Sequence, residues 1–170
     1  ITPSDHFVDF HRESVDVAIR YGRGNWPGLR VERLMTEEVF PVCSADLLKH
    51  GPPLTKPADL AHHVLLHDEL REDWRMWLLA AGVGGVDPAR GPGYTHSHLV
   101  VQAAIAGEGV ALGRSVLVAD LLAEGRLVKP FDVSLPADFA YYVVCLQAAA
   151  DQPKVAAFRD WLMEEAGRAG

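Results

Sequence analysis

SHLVVQAAIAGEGVALG, residues 97–113, is the stretch on which the reading of this chain turns. A hydroxyl residue, Ser97, opens an apolar-periodic run, Gly107 and Gly109 stop it, and a short strand, Val110–Leu112, follows at once. That order predicts a helix entered through a Ser97 cap and followed by a buried strand of parallel type. The first turn of such a helix carries backbone N–H groups without intrahelical partners, which makes it a ready site for a small anion. The chain contains no GxSxG, HExxH, P-loop or dinucleotide fingerprint. The expectation is therefore a protein that holds a small molecule rather than one that transforms it.

Outward from that run, strand and helix signals alternate. Val15–Tyr21 (VDVAIRY) reads as a β-branched strand ended by Gly22, and GRGNWPG (22–28) as a loop. Leu29–Met35 reads as a half-buried strand in which Arg33 falls where an apolar residue is due. Glu38–Ser44 (EVFPVCS) is a strand that Pro41 demotes to an edge or a bend. A helix, Ala45–His50, is capped by Ser44; a helical turn spans Ala58–Ala61 and a strand Val64–His67. Trp74, Trp77, Leu78 and Ala81 recur at helical spacing before Gly82, and their indoles are read as anchors of that helix on its sheet. Gly82–Gly93 is a surface loop, Gly93–Ser97 a strand, Ser115–Glu124 a helix and Leu127–Phe131 a strand. Phe139–Leu146 (FAYYVVCL) has the highest β-propensity in the chain, and Pro153–Glu165 is an amphipathic helix. This alternation predicts an α/β architecture with largely parallel sheets. The first segment and the last strand–helix pair flank the middle, which predicts two lobes: residues 1–42 with 138–170, and residues 43–137. Ligands in such sheets bind at the carboxyl ends of strands, and a cleft between lobes is a preferred pocket.

Composition narrows the partners. The 170 residues carry 16 Lys plus Arg against 23 Asp plus Glu, a net charge of -7, which disfavours nucleic-acid and membrane surfaces as partners of this segment. No apolar run reaches the roughly 18–20 residues of a membrane span. The opening ITPSDHF lacks signal-peptide features and an initiator Met, so the expectation is a segment from inside a longer cytoplasmic protein. Cys43 and Cys145 lie in strand-like apolar surroundings and are read as buried free thiols. His62, His63 and His67, with His96 and His98, match no zinc spacing, so no metal and no cofactor are expected.

SDHFVDFHRESVDVAIRYGRGNWPGL (4–29), PVCSADLL (41–48), LLHDELREDWRMWLLAAG (65–82), SHLVVQAAIAGEGVALGRSVLVADLLAEGRLVKPF (97–131) and FAYYVVC (139–145) together resemble the effector-binding domain of LysR-type transcriptional regulators. The likeness is to the glycine-cleavage-activator-like branch, which includes regulators of β-lactamase expression. The resemblance implies a periplasmic-binding-protein-like fold of two α/β subdomains with a small inducer in the cleft between them. It implies a dimerising domain, a homodimer or tetramer, with the helix Leu99–Ala106 and the segment Arg30–Leu48 as candidate surfaces. It further implies a winged helix-turn-helix module and linker helix on the N-terminal side, through which alone DNA would be bound. In the family the regulatory domain opens with one more strand and a long helix, which the first subdomain of this segment lacks.

The candidate ligand residues are Ser4, Arg20, Tyr21, Gly22, His67, Thr95, His96, Ser97 and Arg114. Ser97 is either a cap alone or a cap that also meets the ligand. Thr95 and His96 precede it at the end of the expected strand, as ligand hydroxyl and as ligand or solvated loop residue. Ser4 is a helix cap or, by the resemblance, a cleft residue. Arg20, Tyr21 and Gly22 end a strand where a crevice is expected; Arg20 would pair with a ligand carboxylate or in a surface ion pair. Trp26 is read as packing on its lobe. His67 is a ligand donor or a satisfied core histidine, and Arg114 faces the cleft or the hinge. No catalytic residue is assigned. The preferred reading is an inducer-sensing domain for a small anionic or zwitterionic effector. A stand-alone periplasmic solute-binding protein of the same fold is the alternative, and an α/β enzyme is disfavoured because no nucleophile–base pair is evident.

Overall fold

A computed structural model describes residues 6–68 and 72–168. The chain divides into two compact units, one built from residues 1–37 with 137–170 and the other from residues 38–136.

The first unit is organised by its last strand. β7 (Ala140–Leu146), rich in aromatic and β-branched residues, lies between β1 (Ala18–Gly22) and β2 (Leu29–Met35) and pairs antiparallel with both. Ala18 faces Val144 and Gly22 faces Ala140 on one side, while Leu29 faces Leu146 on the other. The register of β2 shifts between Arg33 and Met35, where the apolar alternation of the sequence also breaks. Helix α5 (Pro153–Arg168) buries Val155 in a small core with Cys145, Ala150 and the partly buried Val17.

The second unit holds a four-stranded sheet in the order β4 (Leu65–Leu66), β5 (Val110–Arg114), β3 (Glu38–Val42), β6 (Leu135–Pro136). β4 and β5 run parallel, with α2 (Glu72–Ala80) and α3 (Ser97–Ile105) in the crossover between them. One core gathers Phe40, Val42, Val100, Val101, Ala104 and Val118; a second gathers Cys43, Leu60, Leu65, Trp74, Trp77 and Phe131. Trp74 and Trp77 are 1% and 0% exposed, so each hides on the order of 4–6 kcal/mol of apolar transfer free energy. Their indole Nε1–H groups donate to Leu66 O at 3.0 Å and Val133 O at 3.1 Å, which anchors α2 as its spacing predicts. Helix α1 (Ala45–His50) starts at Ser44, whose Oγ accepts from Leu47 N, and α4 (Ser115–Ala123) follows β5 directly.

Several expectations are corrected. The sheets are mainly antiparallel, because β1 and β2 find a common partner in β7 and β3 lies antiparallel to both β5 and β6; only β4–β5 is parallel. The chain leaves the first unit after Glu37 rather than after Val42, because the partners of β3 are β5 and β6 of the second unit. Pro41 sits in an interior strand. Period-2 alternation turns its backbone nitrogen to the side on which Val39 meets β6 and Cys43 bonds Val128, into the gap between those two pairings, so the missing N–H breaks no ladder bond. Neither Gly93–Ser97 nor Leu127–Phe131 forms a strand: each gives one bridge, Gly93 with His67 and Val128 with Cys43. Ser97 is not the cap of α3. His96 holds that position in extended conformation, and its carbonyl takes the first bonds from Leu99 N and Val100 N.

Candidate functional site

Three segments of the second unit bring polar groups to one place. β4 runs out into His67 and Asp68, β5 ends at Arg114, and α3 begins at Ser97. Arg114 Nη2 lies 3.1 Å from Asp73 Oδ2 and 3.8 Å from Asp68 Oδ2, and the Ser97 hydroxyl donates to Asp68 Oδ2 at 3.3 Å. The Arg114 side chain is only 12% exposed, and those carboxylates compensate its largely buried charge. A cavity of about 10 Å³, room for a single water, is bordered by Leu66, His67, Asp68, Asp73 and Trp74.

His67 is 2% exposed. Its Nε2 is 2.9 Å from Arg90 O. A carbonyl only accepts, so that nitrogen carries a proton, and Nδ1 is buried without a hydrogen-bond partner among the described residues. The backbone of His67 is fixed as well, its N–H donating to Pro92 O and its carbonyl accepting from Tyr94 N. Thr95 Oγ1 and His96 Nδ1 share a hydrogen bond of 2.9 Å; both residues are exposed.

In the first unit Arg20 and Tyr21, neighbours at the end of β1, go to different surroundings. The Arg20 guanidinium is stacked among Phe7, Phe10 and Trp26 at 4.9, 5.5 and 5.5 Å from the ring centres, and Nη2 donates to Val8 O at 2.8 Å. The residue is 9% exposed, and burial lowers its pKa from the ordinary arginine value. The surface ion pair offered as one reading of Arg20 is not formed with any described residue; the rings and the Val8 carbonyl hold the guanidinium instead. The Tyr21 hydroxyl donates to Glu37 Oε2 at 2.6 Å, and its ring packs against Phe139 and Tyr141. Gly22 is covered by Trp26: a Cβ there would stand 2.9 Å from the indole Cζ2. Trp26 also meets Phe7 and Tyr142 edge-on, so it packs on its own unit as its sequence reading holds. Ser4 lies outside the described residues.

Ser97 and Arg114 thus meet on Asp68 with His67 lining the same small cavity, Thr95 and His96 form an exposed pair, and Arg20 and Gly22 pack against aromatic rings of the first unit. Sequence reasoning missed Asp73 and the role of Asp68 as a hub. The signal was present in HDELREDW (67–74), where four acidic residues and one basic residue crowd a strand end. It also missed Glu37, 3% exposed in the run TEEVF; its partner Tyr21 is too distant in sequence for any local pattern to reveal it.

A family model for the LysR substrate binding domain matches residues 1–167. The chain belongs to the LysR substrate-binding domain family. It is 48% identical over 162 residues to the glycine cleavage system transcriptional activator of Escherichia coli K12, covering 95% of this chain and 53% of the activator. The HTH-type transcriptional activator AmpR of Providencia stuartii is 35% identical over 167 residues, 97% of this chain and 55% of AmpR. The chain spans about half the length of these curated relatives. Among solved structures, the effector domain of AmpR from Pseudomonas aeruginosa superposes with a TM-score of 0.78 at 31% identity, covering 95% of this chain and 76% of that one. The AmpR effector-binding domain of Citrobacter freundii gives 0.79 at 28%, covering 95% and 80%. The LysR-family fold is periplasmic-binding-protein-like, mixed α/β with two sheets. No helix among the described residues is long and apolar enough to cross a membrane, and no three His, Cys, Asp or Glu among them could hold a metal ion.

Proposed function

We propose that this LysR-family domain senses a small anionic or zwitterionic effector for a cytoplasmic transcription regulator, with Ser97, Arg114 and His67 at the centre of its ligand site. The meeting of Ser97 and Arg114 on Asp68, with His67 lining the same small cavity, at the ends of β4 and β5 and the start of α3, carries the reading. Asp68 now holds the Ser97 hydroxyl beside the helix start. An effector carboxylate would take over that hydroxyl and the first N–H groups of α3, while a donor group on the effector would suit the released Asp68 and the His67 Nδ1 lone pair. Thr95 and His96 would border this end of the ligand. Tyr21, at the end of β1, is the candidate contact that the first unit would offer the effector. Arg20 would support that strand end rather than touch the effector.

Binding changes output only through unequal affinity for two states. Those states would differ in the contacts of a homodimer or tetramer, and DNA would be reached through a separate N-terminal module. Val100, Val101, Ala103 and Ala104 of α3 are committed to the core of the second unit, so Leu99, 41% exposed, is the apolar residue α3 would bring to a dimer contact. The relatives are transcriptional activators, which favours a regulator over a stand-alone periplasmic solute-binding protein.

A thermal-shift screen of amino acids, small carboxylates and aromatic acids, with light scattering alongside, tests this. One compound class should raise the Tm in proportion to the logarithm of its concentration, and Ser97→Ala and Arg114→Gln should each remove most of that shift. A shift that survives in both variants, or none from any class, would refute the assignment.

A further inference from the structure

The second unit carries another concavity, built by different residues. It is an open groove of about 400 Å³ lined by Ala61, His62, His63, Val64, Arg90 and Gly91. That volume lies in the range of small-metabolite pockets. Its charged member is held from two directions. Arg90 Nη2 donates to the carbonyls of His63 at 2.6 Å and Ala61 at 2.8 Å, with Leu60 O at 3.4 Å, where the 3₁₀ turn Pro57–His62 ends. The Arg90 carbonyl accepts from His67 Nε2 at 2.9 Å. Gly91 follows at φ +117°, where a Cβ would stand 1.9 Å from Leu65 O, so the chain reaches this place only through glycine.

The guanidinium is thus fixed before any ligand arrives, yet one nitrogen does all its bonding. Among the described residues Arg90 forms no ion pair, and its Nε and Nη1 donate to none of them. His62 is exposed and likewise unbonded, and His63 is 4% exposed with Nε2 3.4 Å from Pro53 O. No carboxylate of the described residues lines the groove. The nearest acids in sequence are engaged elsewhere: Asp59 accepts from Thr55 and from Lys56 N, and Asp87 accepts from Ala89 N. In a chain of net charge -7, this concave surface presents a preorganised guanidinium and two imidazoles with no acid among its described lining residues.

We propose that this groove is a second ligand site, selective for a small molecule bearing a carboxylate or phosphate group. Arg90 Nε and Nη1 and the His62 ring would bind the anion, with Ala61 and Val64 as the apolar wall.

The test is a backbone and histidine side-chain NMR titration of the chain with sodium phosphate and with sodium acetate, against sodium chloride at matched ionic strength. Saturable shifts at His62, His63, Arg90 and Gly91 with either oxyanion, absent with chloride, are expected. Response to phosphate alone or to acetate alone would support the site and identify the group it takes. His62→Ala, at an exposed position, should weaken the apparent affinity about two- to fivefold, the worth of one solvent-exposed charged contact. Ser97→Ala should leave this titration unchanged, which separates it from the site around Asp68. Shifts that never saturate, that chloride reproduces or that His62→Ala leaves unaltered would overturn the proposal.

Discussion

Arg20→Ala should cost about 2–4 kcal/mol, concentrated in the first unit. The wild-type side chain makes one charge-assisted hydrogen bond, Nη2 to Val8 O at 2.8 Å, worth roughly 1.5–3 kcal/mol. It lies over three aromatic rings at 4.9–5.5 Å, each worth about 0.5–1 kcal/mol at partly exposed sites. Against this stands a buried Nε–H without an acceptor, a penalty of about 1 kcal/mol or more already present in the native state. Arg20→Met would keep much of the ring contact and remove that penalty, so it should cost less, on the order of 1 kcal/mol. Hydrogen exchange read by mass spectrometry suits the question, because Arg12 N and Glu13 N both bond Asp9 O in the turn beside the cage. The alanine variant should speed exchange of those amides by about 30- to 1000-fold, with the second unit unaffected. A change below about 0.5 kcal/mol, with exchange near residues 9–13 unaltered, would show that the guanidinium does not fasten this segment to β1.

Ser44→Ala should lower stability by about 1 kcal/mol in urea unfolding, since its hydroxyl caps α1. Gly91→Ala should cost about 3 kcal/mol or more, or abolish folding, because its Cβ would meet the Leu65 carbonyl at 1.9 Å; a loss under about 1 kcal/mol would contradict the geometry. Burial pushes the Cys43 thiol up to about 11. Its stabilising contribution is therefore complete below the unfolded value near ~8.5 and lost as pH rises toward the folded value, and a disulfide reagent at pH 8 should label Cys43 only once urea unfolds the chain. Hydrogen bonds from Thr55 and Lys56 hold the Asp59 carboxyl below its usual value. Its contribution is present above the unfolded pKa of about 3.9 and disappears as pH falls through the folded one, so Asp59→Asn should flatten the acid limb of a stability–pH profile.

What could be read from the sequence followed the range of the interactions responsible. Ser44, the Trp74/Trp77 spacing and the β-branched run of residues 140–146 act locally, and the elements they announce are present. The break at Arg33 was visible, although its meaning as a register shift needed the partner strand. Strand direction was misread because alternation of strands and helices says nothing about which strands become neighbours; β7 joins β1 and β2 from about 100 residues away. Pro41 was misjudged for the same reason, since its tolerance depends on where β6 stops and Val128 begins. At the candidate site, His67, Ser97 and Arg114 were found as element termini. Ser97 falls one residue inside α3 with His96 as its cap, and the Ser97–Asp68 and Arg20–aromatic contacts are ones that no residue spacing encodes.

The strand order β1–β7–β2 bears on synthesis. β1 and β2 have no ladder with each other, and the strand that joins them is made last. At about 5–20 residues per second on the ribosome, the two early strands would wait roughly 5–20 seconds for β7 to emerge. During that interval the whole second unit, a contiguous insertion of residues 38–136, is translated. Such a layout favours vectorial assembly, the inserted unit closing first and the split unit completed around it. A ribosome stalled before residue 140 should therefore display β1 and β2 without the edge of β7, a state open to capture by a chaperone or to aggregation.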